Sequence, residues 1–358
     1  ALANLNGVTA NPYAHHFYVD QTPQIADADF GWTGSSTPGT PDWHTLLVGG
    51  LGKGGKGIYA LDITDAPPAL DTKSSAASEA RIKKQVLWEF TDSDMGFTFG
   101  RPLIAKTRKY GWVVLVTSGY NNNAGTQTGK GHLYVLNAKT GEKLETFDTS
   151  AGDTTTPSGL GRATAFTRDI ADGTIEQVYA GDLLGNVWRF DLSGTATGSY
   201  PAPVKLAQLK DKDGNPQPIT TAPRIELDID NTGLDTRRWV FVGTGKFLDT
   251  SDLSDTQQQT MYALRDGTAS TPASSGLPRT RDALTANTDL TAGITAVSDT
   301  AAGWYYDLKG KTASGATERI VIDPEAAAGQ FEIAWARRRL PTLAHSRARF
   351  TPPISRRV

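Results

Sequence analysis

The sequence Ile58-Tyr59-Ala60-Leu61-Asp62 decides the fold, because similar stretches recur three more times along the chain. Each contains an aromatic residue, any residue and a large apolar residue, and a turn follows. The other copies are Leu133-Tyr134-Val135-Leu136-Asn137, Val187-Trp188-Arg189-Phe190-Asp191 and Met261-Tyr262-Ala263-Leu264-Arg265. Side chains alternate between the two faces of a strand, so Tyr59 and Leu61 are predicted to share one face. Because self-similarity is the signature of a repeat architecture, the four stretches predict four repeated units.

Each predicted unit contains further short strands around the aromatic stretch. The strand before it ends in glycine, as in Leu46-Leu47-Val48-Gly49-Gly50 and Gln177-Val178-Tyr179-Ala180-Gly181. Another strand precedes that one, and a fourth follows the aromatic strand, as in Val86-Leu87-Trp88-Glu89-Phe90. Four antiparallel strands per unit form the blade of a β-propeller. The predicted blades are at about residues 21–92, 93–150, 157–214 and 218–267.

The composition also indicates an all-β protein, because 37 Gly and 19 Pro suit many tight turns. A β-sandwich is the alternative, but it does not need a repeat in which every strand keeps its role. Residues 13–19, 303–307 and 318–322 can supply one to three more blades. We therefore expect a modified seven-bladed, quinoprotein-like propeller over residues 1–324. The predicted long surface loops are residues 66–81, 120–131 and 268–300.

Charge is distributed unevenly along the chain. The net charge is −2, but after Glu332 there are seven Arg and no acidic residue, so the remainder carries −9. An acidic body argues against nucleic-acid binding, which requires cations that neutralise phosphates. Residues 335–358 show neither the strand nor the helix period. The segment 325–358 is therefore predicted to be a disordered or non-native basic tail, with a basic interaction arm as the alternative.

Neither a membrane span nor a signal peptide is visible in the sequence. The longest apolar run, Trp112–Val116, is far shorter than the ~20 residues that cross a bilayer. The first residues, Ala1-Leu2-Ala3-Asn4, lack the basic and apolar regions of a signal peptide. We expect this chain to be part of a longer protein, with any export signal upstream of it. Cysteine is absent, which excludes disulfides, thiolate metal sites and Cys nucleophiles.

Acidic loops that contain glycine are the candidate functional sites, because Ca²⁺ takes several oxygen ligands from a short, sharply turning loop. Residues 169–176 and 228–235 have this composition. The candidate ligands are Asp169, Asp172 and Glu176 in the first loop, and Asp228, Asp230 and Asp235 in the second. Both loops fall short of a full D-x-D-x-D-G pattern, so a plain Asp/Gly turn is the alternative. The run Gly49–Gly57 lacks the Walker spacing of a phosphate loop and is interpreted as a hairpin loop.

Several segments resemble the C-terminal propeller domain of the PilY/PilC proteins, which are associated with type IV pili. The most specific is Tyr179-Ala180-Gly181-Asp182-Leu183-Leu184-Gly185-Asn186-Val187-Trp188-Arg189-Phe190-Asp191. The others are Trp43–Gly50 with Tyr59–Thr64, Leu87–Phe90 with Gly100–Pro102, and Val242–Lys246. The resemblance extends over about residues 13–324.

This resemblance implies a non-enzymatic pilus biogenesis factor that supports assembly, opposes retraction, and mediates adhesion and twitching motility. It implies an exported protein at the pilus tip, outer membrane or cell surface, with pilin subunits or minor pilins and host or surface ligands as partners. Some members of the family hold calcium in a D-x-N-x-D-G-x-x-D loop just before the Tyr-Ala-Gly-Asp strand. The matching positions here keep Asp172, Gly173 and Glu176, but Arg168 and Ile170 occupy the first and third ligand positions.

Two other functions are compatible with the repeat. A quinone-cofactor dehydrogenase has blades with similar Tyr-Ala-Leu-Asp strands, but this chain lacks the adjacent Cys pair common in that family. We identify no candidate catalytic base, and we expect neither enzyme activity nor a quinone. A generic protein-interaction scaffold is the third possibility.

Overall fold

The structure is a computed structural model, and it divides into two compact units. It describes residues 7, 9–34, 39–65, 76–195, 198–228, 236–288, 301–311, 315–327, 330–339 and 342–350. Of residues 76–78, 81, 228, 325–327, 330–339 and 342–350 it describes the backbone alone. One unit comprises Ala1–Val178 and Phe190–Pro203, and the other comprises Tyr179–Arg189 and Val204–Val358.

Four sheets correspond to the four predicted blades. The first contains β1 (Gln24–Asp29), β2 (Trp43–Gly50), β3 (Ile58–Asp62) and β4 (Val86–Phe90). The second contains β5 (Leu103–Thr107), β6 (Gly111–Thr117), β7 (His132–Asn137) and β8 (Lys143–Asp148). The third contains β9 (Ala163–Phe166), β10 (Gln177–Gly181), β11 (Asn186–Asp191) and β12 (Val204–Gln208). In each of these sheets the strands lie side by side in chain order. The all-β class and the four-stranded antiparallel blades are therefore confirmed.

The fourth sheet adds a strand to this plan. It contains β13 (Arg224–Asp228), β14 (Arg237–Gly243), β15 (Thr260–Thr268), β16 (Thr285–Asn287) and β17 (Gly303–Asp307). Their order is β13-β14-β15-β17-β16, and β16 pairs parallel to β17. Two short 3-10 helices, Thr250–Ser254 and Arg281–Ala283, lie in the connections.

The aromatic strands of three blades each contain a register shift. Where the third strand pairs with the fourth, the register shifts between Ala60 and Leu61, between Val135 and Leu136, and between Val187 and Trp188. Such bulges bend a strand and increase its twist. In the first and second blades the shift lies at equivalent residues, so there the sequence repeat is also a repeat of backbone geometry. In the third blade the shift lies two residues earlier in the repeat.

The first and second blades pack face to face through the alternating side chains that the repeat predicts. Leu46 and Ala60 of the first blade belong to the same buried cluster as Val114 and Leu136 of the second. Trp88 completes the contact, because its indole Nε1 donates a hydrogen bond to the carbonyl of Ala138 at 2.9 Å. Apolar burial of this kind is the main term that stabilises stacked blades.

Residues 303–307 do not begin an additional blade. They form β17, which pairs with β15 and supplies the fourth strand of the fourth blade. A long insertion separates β15 from β17, so the local sequence does not indicate that these strands pair. Residues 13–19 and 318–322 contain no strand. Ile320 instead packs on Gly243, where a Cβ would lie 2.3 Å from the Ile320 Cγ2. A seven-bladed closure stays a prediction.

The predicted loop at 66–81 contains part of a helix. Helix α1 spans Ala76–Gln85, and its sequence is rich in residues with high helix propensity. Glu79 in the first turn and Lys83 and Lys84 in the last turn have the charges that the helix dipole favours. Residues 66–75 and 289–300 lie outside the described residues, while 120–131 has no strand, as predicted for a loop.

The basic C-terminal segment also differs from the irregular tail that was predicted. Strands β18 (Glu325–Ala327), β19 (Gln330–Arg339) and β20 (Thr342–Phe350) form a three-stranded antiparallel sheet. In β19, the apolar residues Phe331, Ile333 and Trp335 alternate with other residues, as in a strand. Phe331 and Ile333 precede residues 335–358, the segment that shows no period in the sequence. Residues 351–358 lie outside the described part, and the domain boundary at 324 stays a prediction.

A buried ionic network joins strands of the third and fourth blades. The Tyr179 hydroxyl donates to Asp266 Oδ2 at 2.6 Å, and Arg238 Nη1 donates to that hydroxyl at 2.8 Å. Arg189 Nη1 donates to Asp266 Oδ1. Asp266 and Arg238 are fully buried, so the carboxylate is tolerated only because these donors surround it.

The same network fixes the backbone that follows β15. Arg238 Nη2 donates to the carbonyl of Ala269 at 2.7 Å, and Arg189 Nη2 donates to the carbonyl of Ala273 at 2.9 Å. The backbone N–H of Ala273 donates to Asp266 Oδ1 at 3.1 Å. One carboxylate therefore determines the path of the loop as well as the packing of two blades.

We predict that Asp266→Ala strongly destabilises the protein, because it leaves buried cations without their carboxylate. The expected loss is about 3–5 kcal/mol in the free energy of unfolding, measured by urea denaturation. Lys212→Ala is the matched control, since the Lys212 side chain is 70% exposed and its loss should leave the free energy of unfolding close to that of the wild type. A loss below ~1 kcal/mol in Asp266→Ala would show that the network is not a major stabilising element.

Candidate functional site

The loop of residues 169–176 connects β9 to β10, and Asp169 forms its turn. Asp169 Oδ1 accepts from the backbone N–H groups of Ala171 at 3.0 Å and Asp172 at 3.4 Å. The N–H of Gly173 donates to the carbonyl of Asp169 at 2.9 Å, and Gly173 has a φ of +69°. The Asp169 carboxylate thus stabilises the turn in the manner of an Asx motif.

The other two predicted ligands, Asp172 and Glu176, are paired with cations of the protein. Lys106 Nζ lies 3.1 Å from Asp172 Oδ1. Glu176 Oε1 lies 3.2 Å from Arg168 Nη2 and 3.7 Å from Arg108 Nη2. The Glu176 side chain is only 7% exposed, so its charge is compensated within the fold. We call Lys106, Arg108, Arg168, Asp172 and Glu176 the ion-pair cluster.

The electrostatics of Asp172 reflect these partners. The hydrogen bond from the Thr174 side chain is the largest cause that lowers the pKa of Asp172, and Lys106 and Arg108 lower it further, while burial opposes them. The carboxylate is therefore ionised at neutral pH. Backbone bonds connect the loop to the second blade as well, because the N–H of Ile175 donates to the carbonyl of Lys106 at 2.9 Å.

The residues of this loop do not fit a calcium site. Calcium takes six to eight oxygen ligands at about 2.3–2.6 Å, usually with several carboxylates directed at the ion. Here two arginines and a lysine approach the carboxylates, and the Ile170 side chain at the third ligand position is 88% exposed. Across the part of the chain that the structure describes, no group of three or more His, Asp or Glu side chains is arranged to hold a metal.

The second predicted loop falls largely outside the described residues. Asp230 and Asp235 lie among residues 229–235, and of Asp228 the structure describes only the backbone at the end of β13. Calcium binding by Asp228, Asp230 and Asp235 therefore stays a prediction.

The histidines in the blades have structural partners. His44 Nδ1 lies 2.7 Å from Asp62 Oδ2, and His132 Nε2 lies 2.9 Å from Asp94 Oδ2. Both pairs connect strands or loops within one unit. In both pairs the carboxylate also accepts a hydrogen bond from a threonine hydroxyl, that of Thr64 on Asp62 and that of Thr128 on Asp94.

The Asp94 network, which the sequence does not reveal, fixes the long loop of residues 120–131. Asp94 Oδ1 accepts from the N–H of Thr128 at 2.6 Å, and Oδ2 accepts from the Thr128 hydroxyl. Buried Asn122 donates to the carbonyls of Asp94 at 3.0 Å and Lys130 at 2.7 Å. Asp94 and Thr128 are 34 positions apart, so no local spacing could have predicted their contact.

Taken together, the fold and these polar clusters define a β-propeller domain in which the described acidic and histidine clusters support loops and blades. The family model of the PilY1 beta-propeller domain matches residues 2–298, and the chain belongs to this family. The resemblance carried by the stretch from Tyr179 to Asp191 is therefore confirmed.

The relatives and one solved structure agree with this assignment. The type IV pilus biogenesis factor PilY1 of Pseudomonas aeruginosa strain UCBPP-PA14 is 29% identical over 348 residues, which cover 86% of this chain and 27% of that protein. PilY1 of strain PAO1 is 32% identical over 305 residues, covering 77% and 23%. The crystal structure of the P. aeruginosa PilY1 C-terminal domain superimposes with a TM-score of 0.67 at 26% identity, covering 89% of this chain and 68% of that one. The chain thus spans about a quarter of the length of these curated relatives.

None of the described helices has the length and apolar character needed to traverse a bilayer.

We predict that wild-type protein shows no saturable calcium heat at loop 169–176, and that Arg168→Asp with Ile170→Asn creates calcium binding. The double substitution removes one cation and restores oxygen ligands at the first and third positions of the family pattern. The expected dissociation constant is about 10⁻⁴–10⁻³ M, as in extracellular calcium modules, measured by titration calorimetry. Adding Asp172→Asn to the double variant should abolish it. Wild-type heats that equal those of the double variant, and that Asp172→Asn removes, would contradict the prediction.

We also predict acid lability from the Asp94 network. Burial raises the pKa of Asp94, but hydrogen bonds from Thr128 and His132 outweigh it and hold the pKa below its ordinary value. A carboxyl whose folded pKa is depressed stabilises the fold above its unfolded pKa and loses that contribution as the pH falls. The free energy of unfolding should therefore decrease below about pH 5, and Asp94→Asn should make the decrease shallower. Asp213→Asn, at a side chain 64% exposed, is the control, and an unchanged slope in Asp94→Asn would refute the role.

Proposed function

We propose that this chain is the propeller domain of a type IV pilus biogenesis factor and that it has no catalytic activity of its own. The observation that carries the proposal is the match to the PilY1 family over residues 2–298, together with the superposition on the PilY1 C-terminal domain. The relatives themselves are named as type IV pilus biogenesis factors.

The use of the buried polar groups supports a non-enzymatic role. The Asp266 carboxylate accepts hydrogen bonds from Tyr179 and Arg189, and the Asp94 carboxylate is hydrogen-bonded to Thr128 and His132. Catalytic carboxylates face a cleft in which a substrate can reach them, whereas these face protein donors. The chain has no cysteine, so it lacks the adjacent Cys pair that is common in quinone-cofactor dehydrogenases, the alternative function.

The proposal extends to partners and location. We place the domain on an exported protein at the pilus tip, outer membrane or cell surface, with pilin subunits or minor pilins as its principal partners. There it supports pilus assembly, opposes retraction and contributes to adhesion and twitching motility, with host or surface ligands as further partners. A propeller suits this role because its packed blades hold loops rigidly for protein contacts.

We predict that a host strain whose chromosomal allele lacks residues 13–324 loses surface pili and twitching. Piliation is measured by electron microscopy and by immunoblotting of sheared pilin, and motility by the twitching zone. An allele with Lys212→Ala, at an exposed side chain, is the matched control and should behave like wild type.

A strain without the retraction motor distinguishes a role in pilus assembly from a role in opposing retraction. If the domain opposes retraction, inactivation of the retraction motor should restore pili to the deletion strain. If pili stay absent, the domain acts in assembly itself and the retraction part of the proposal is wrong. Unchanged piliation and motility in the deletion strain would refute the proposal as a whole.

A further inference from the structure

The tip of loop 169–176 carries the most exposed large apolar side chain of the described residues. Ile170 is 88% exposed, whereas the other exposed large apolar side chains lie between 43% and 58%. Residues 170–172 form a turn, and turns favour Gly, Asn, Asp, Ser and Pro over a β-branched residue. Ile170 therefore serves neither the apolar core nor the turn, and folding gives no reason for an isoleucine at this position.

The backbone on both sides of Ile170 is fixed. After it, the N–H groups of Ala171 and Asp172 donate to Asp169 Oδ1, and Lys106 Nζ donates to the carbonyl of Asp172 at 3.0 Å. Before it, the ion pair of Arg168 with Glu176 holds the start of the loop. A loop that is already ordered loses little conformational entropy when a partner binds, and such pre-organisation raises affinity.

Arg108 adds a partly exposed cation next to this loop. Its Nη2 lies 3.7 Å from Glu176 Oε1 and 3.9 Å from Asp172 Oδ2. Both distances are too long for hydrogen bonds, so neither contact uses an N–H donor of the guanidinium. Arg108 can therefore donate to an acceptor from outside the chain while it stays close to its own carboxylates.

An aromatic ring continues this surface toward the first blade. Lys106 Nζ, which contacts Asp172, also lies 4.5 Å from the centroid of the partly exposed Trp32 ring, a cation–π distance. We call Trp32, Arg108 and Ile170 the loop-tip surface. Trp and Arg are the residue types most enriched among those that dominate the energy of protein–protein binding.

We propose that the loop-tip surface docks a protein partner that offers an apolar pocket for Ile170 and a carboxylate for Arg108. This inference rests on the proposed function, under which the partner is a pilus subunit. Arginine pairs with a carboxylate through charge-assisted hydrogen bonds, and burial of an exposed aliphatic side chain adds the apolar term. The loop and its ion-pair cluster carry three cations and three carboxylates, so they offer no excess positive charge to a nucleic acid or an anionic membrane.

The first test measures binding of the full chain to the purified soluble domains of the host's major pilin and of each minor pilin, by biolayer interferometry. Wild type should bind at least one of them, and Ile170→Ala should weaken that binding about 10-fold or more, mainly through faster dissociation. Arg108→Gln should slow association and flatten its salt dependence. Phe247→Ala, at an exposed apolar side chain of the other unit, is the matched control and should bind as wild type does.

The proposal is overturned if no pilin domain binds, if Ile170→Ala binds like wild type, or if Phe247→Ala loses as much affinity as Ile170→Ala. Because Ile170 is almost fully exposed, its variant should keep the thermal unfolding temperature of wild type, so a loss of binding is not a loss of folding.

The second test places a photo-crosslinking amino acid at position 170 of the protein in its host, with position 212 as the exposed control. An adduct with a pilus subunit from position 170 alone supports the proposal. An adduct with a second copy of the protein, equal adducts from both positions, or none overturns it.

Chromosomal alleles separate this inference from the proposed function. Ile170→Ala should reduce surface pilin, as the deletion of residues 13–324 does. If the deletion abolishes pili and Ile170→Ala leaves them at the wild-type level, the docking surface is wrong and the proposed function stands. If the deletion itself leaves piliation unchanged, the proposed function fails, and the assignment of a pilus subunit as the partner fails with it.

Discussion

The buried carboxylate of Asp266 is the constraint on which the third and fourth blades depend. A buried charge is stable only where donors surround it, and its donors come from β10, β11 and the segment after β15. Any slip of one strand along its neighbour would separate Tyr179 or Arg189 from this carboxylate. Apolar packing already opposes a slip of one residue, because such a slip turns every side chain to the other face of the sheet. A slip of two residues keeps the faces, so the ionic network supplies specificity that packing alone lacks.

The same logic explains why the stretch from Tyr179 to Asp191 identifies a family and not an activity. Asp182 follows β10, and it accepts from the N–H groups of Leu184 at 3.0 Å and Asn186 at 2.8 Å. Its Oδ2 also accepts from the indole Nε1 of Trp188 at 2.9 Å. The side chains that make this stretch recognisable thus close a hairpin turn and anchor an aromatic strand. Their chemistry is used for folding, so function has to be inferred from relatives and from other sites.

Local patterns predicted the blades well, because alternation and a terminal glycine are properties of neighbouring residues. The bounds of β3, β4 and β10 agree with the sequence. Contacts between distant residues were not predictable in this way. Lys106 reaches Asp172 from 66 positions earlier, and β17 joins the fourth blade only after a long insertion. For the same reason, the acidic composition of loop 169–176 suggested a metal, whereas its ion pairs depend on cations that a local pattern does not include.

Departures from the family pattern are the places where chemistry specific to this chain is found. Arg168 is such a departure, because it pairs with Glu176 and adds a protein cation to the loop. Lys106 pairs with Asp172 of the same loop. The carboxylates of the loop are thus compensated by cations of the fold, and this is the physical reason why its acidic composition does not by itself indicate a metal.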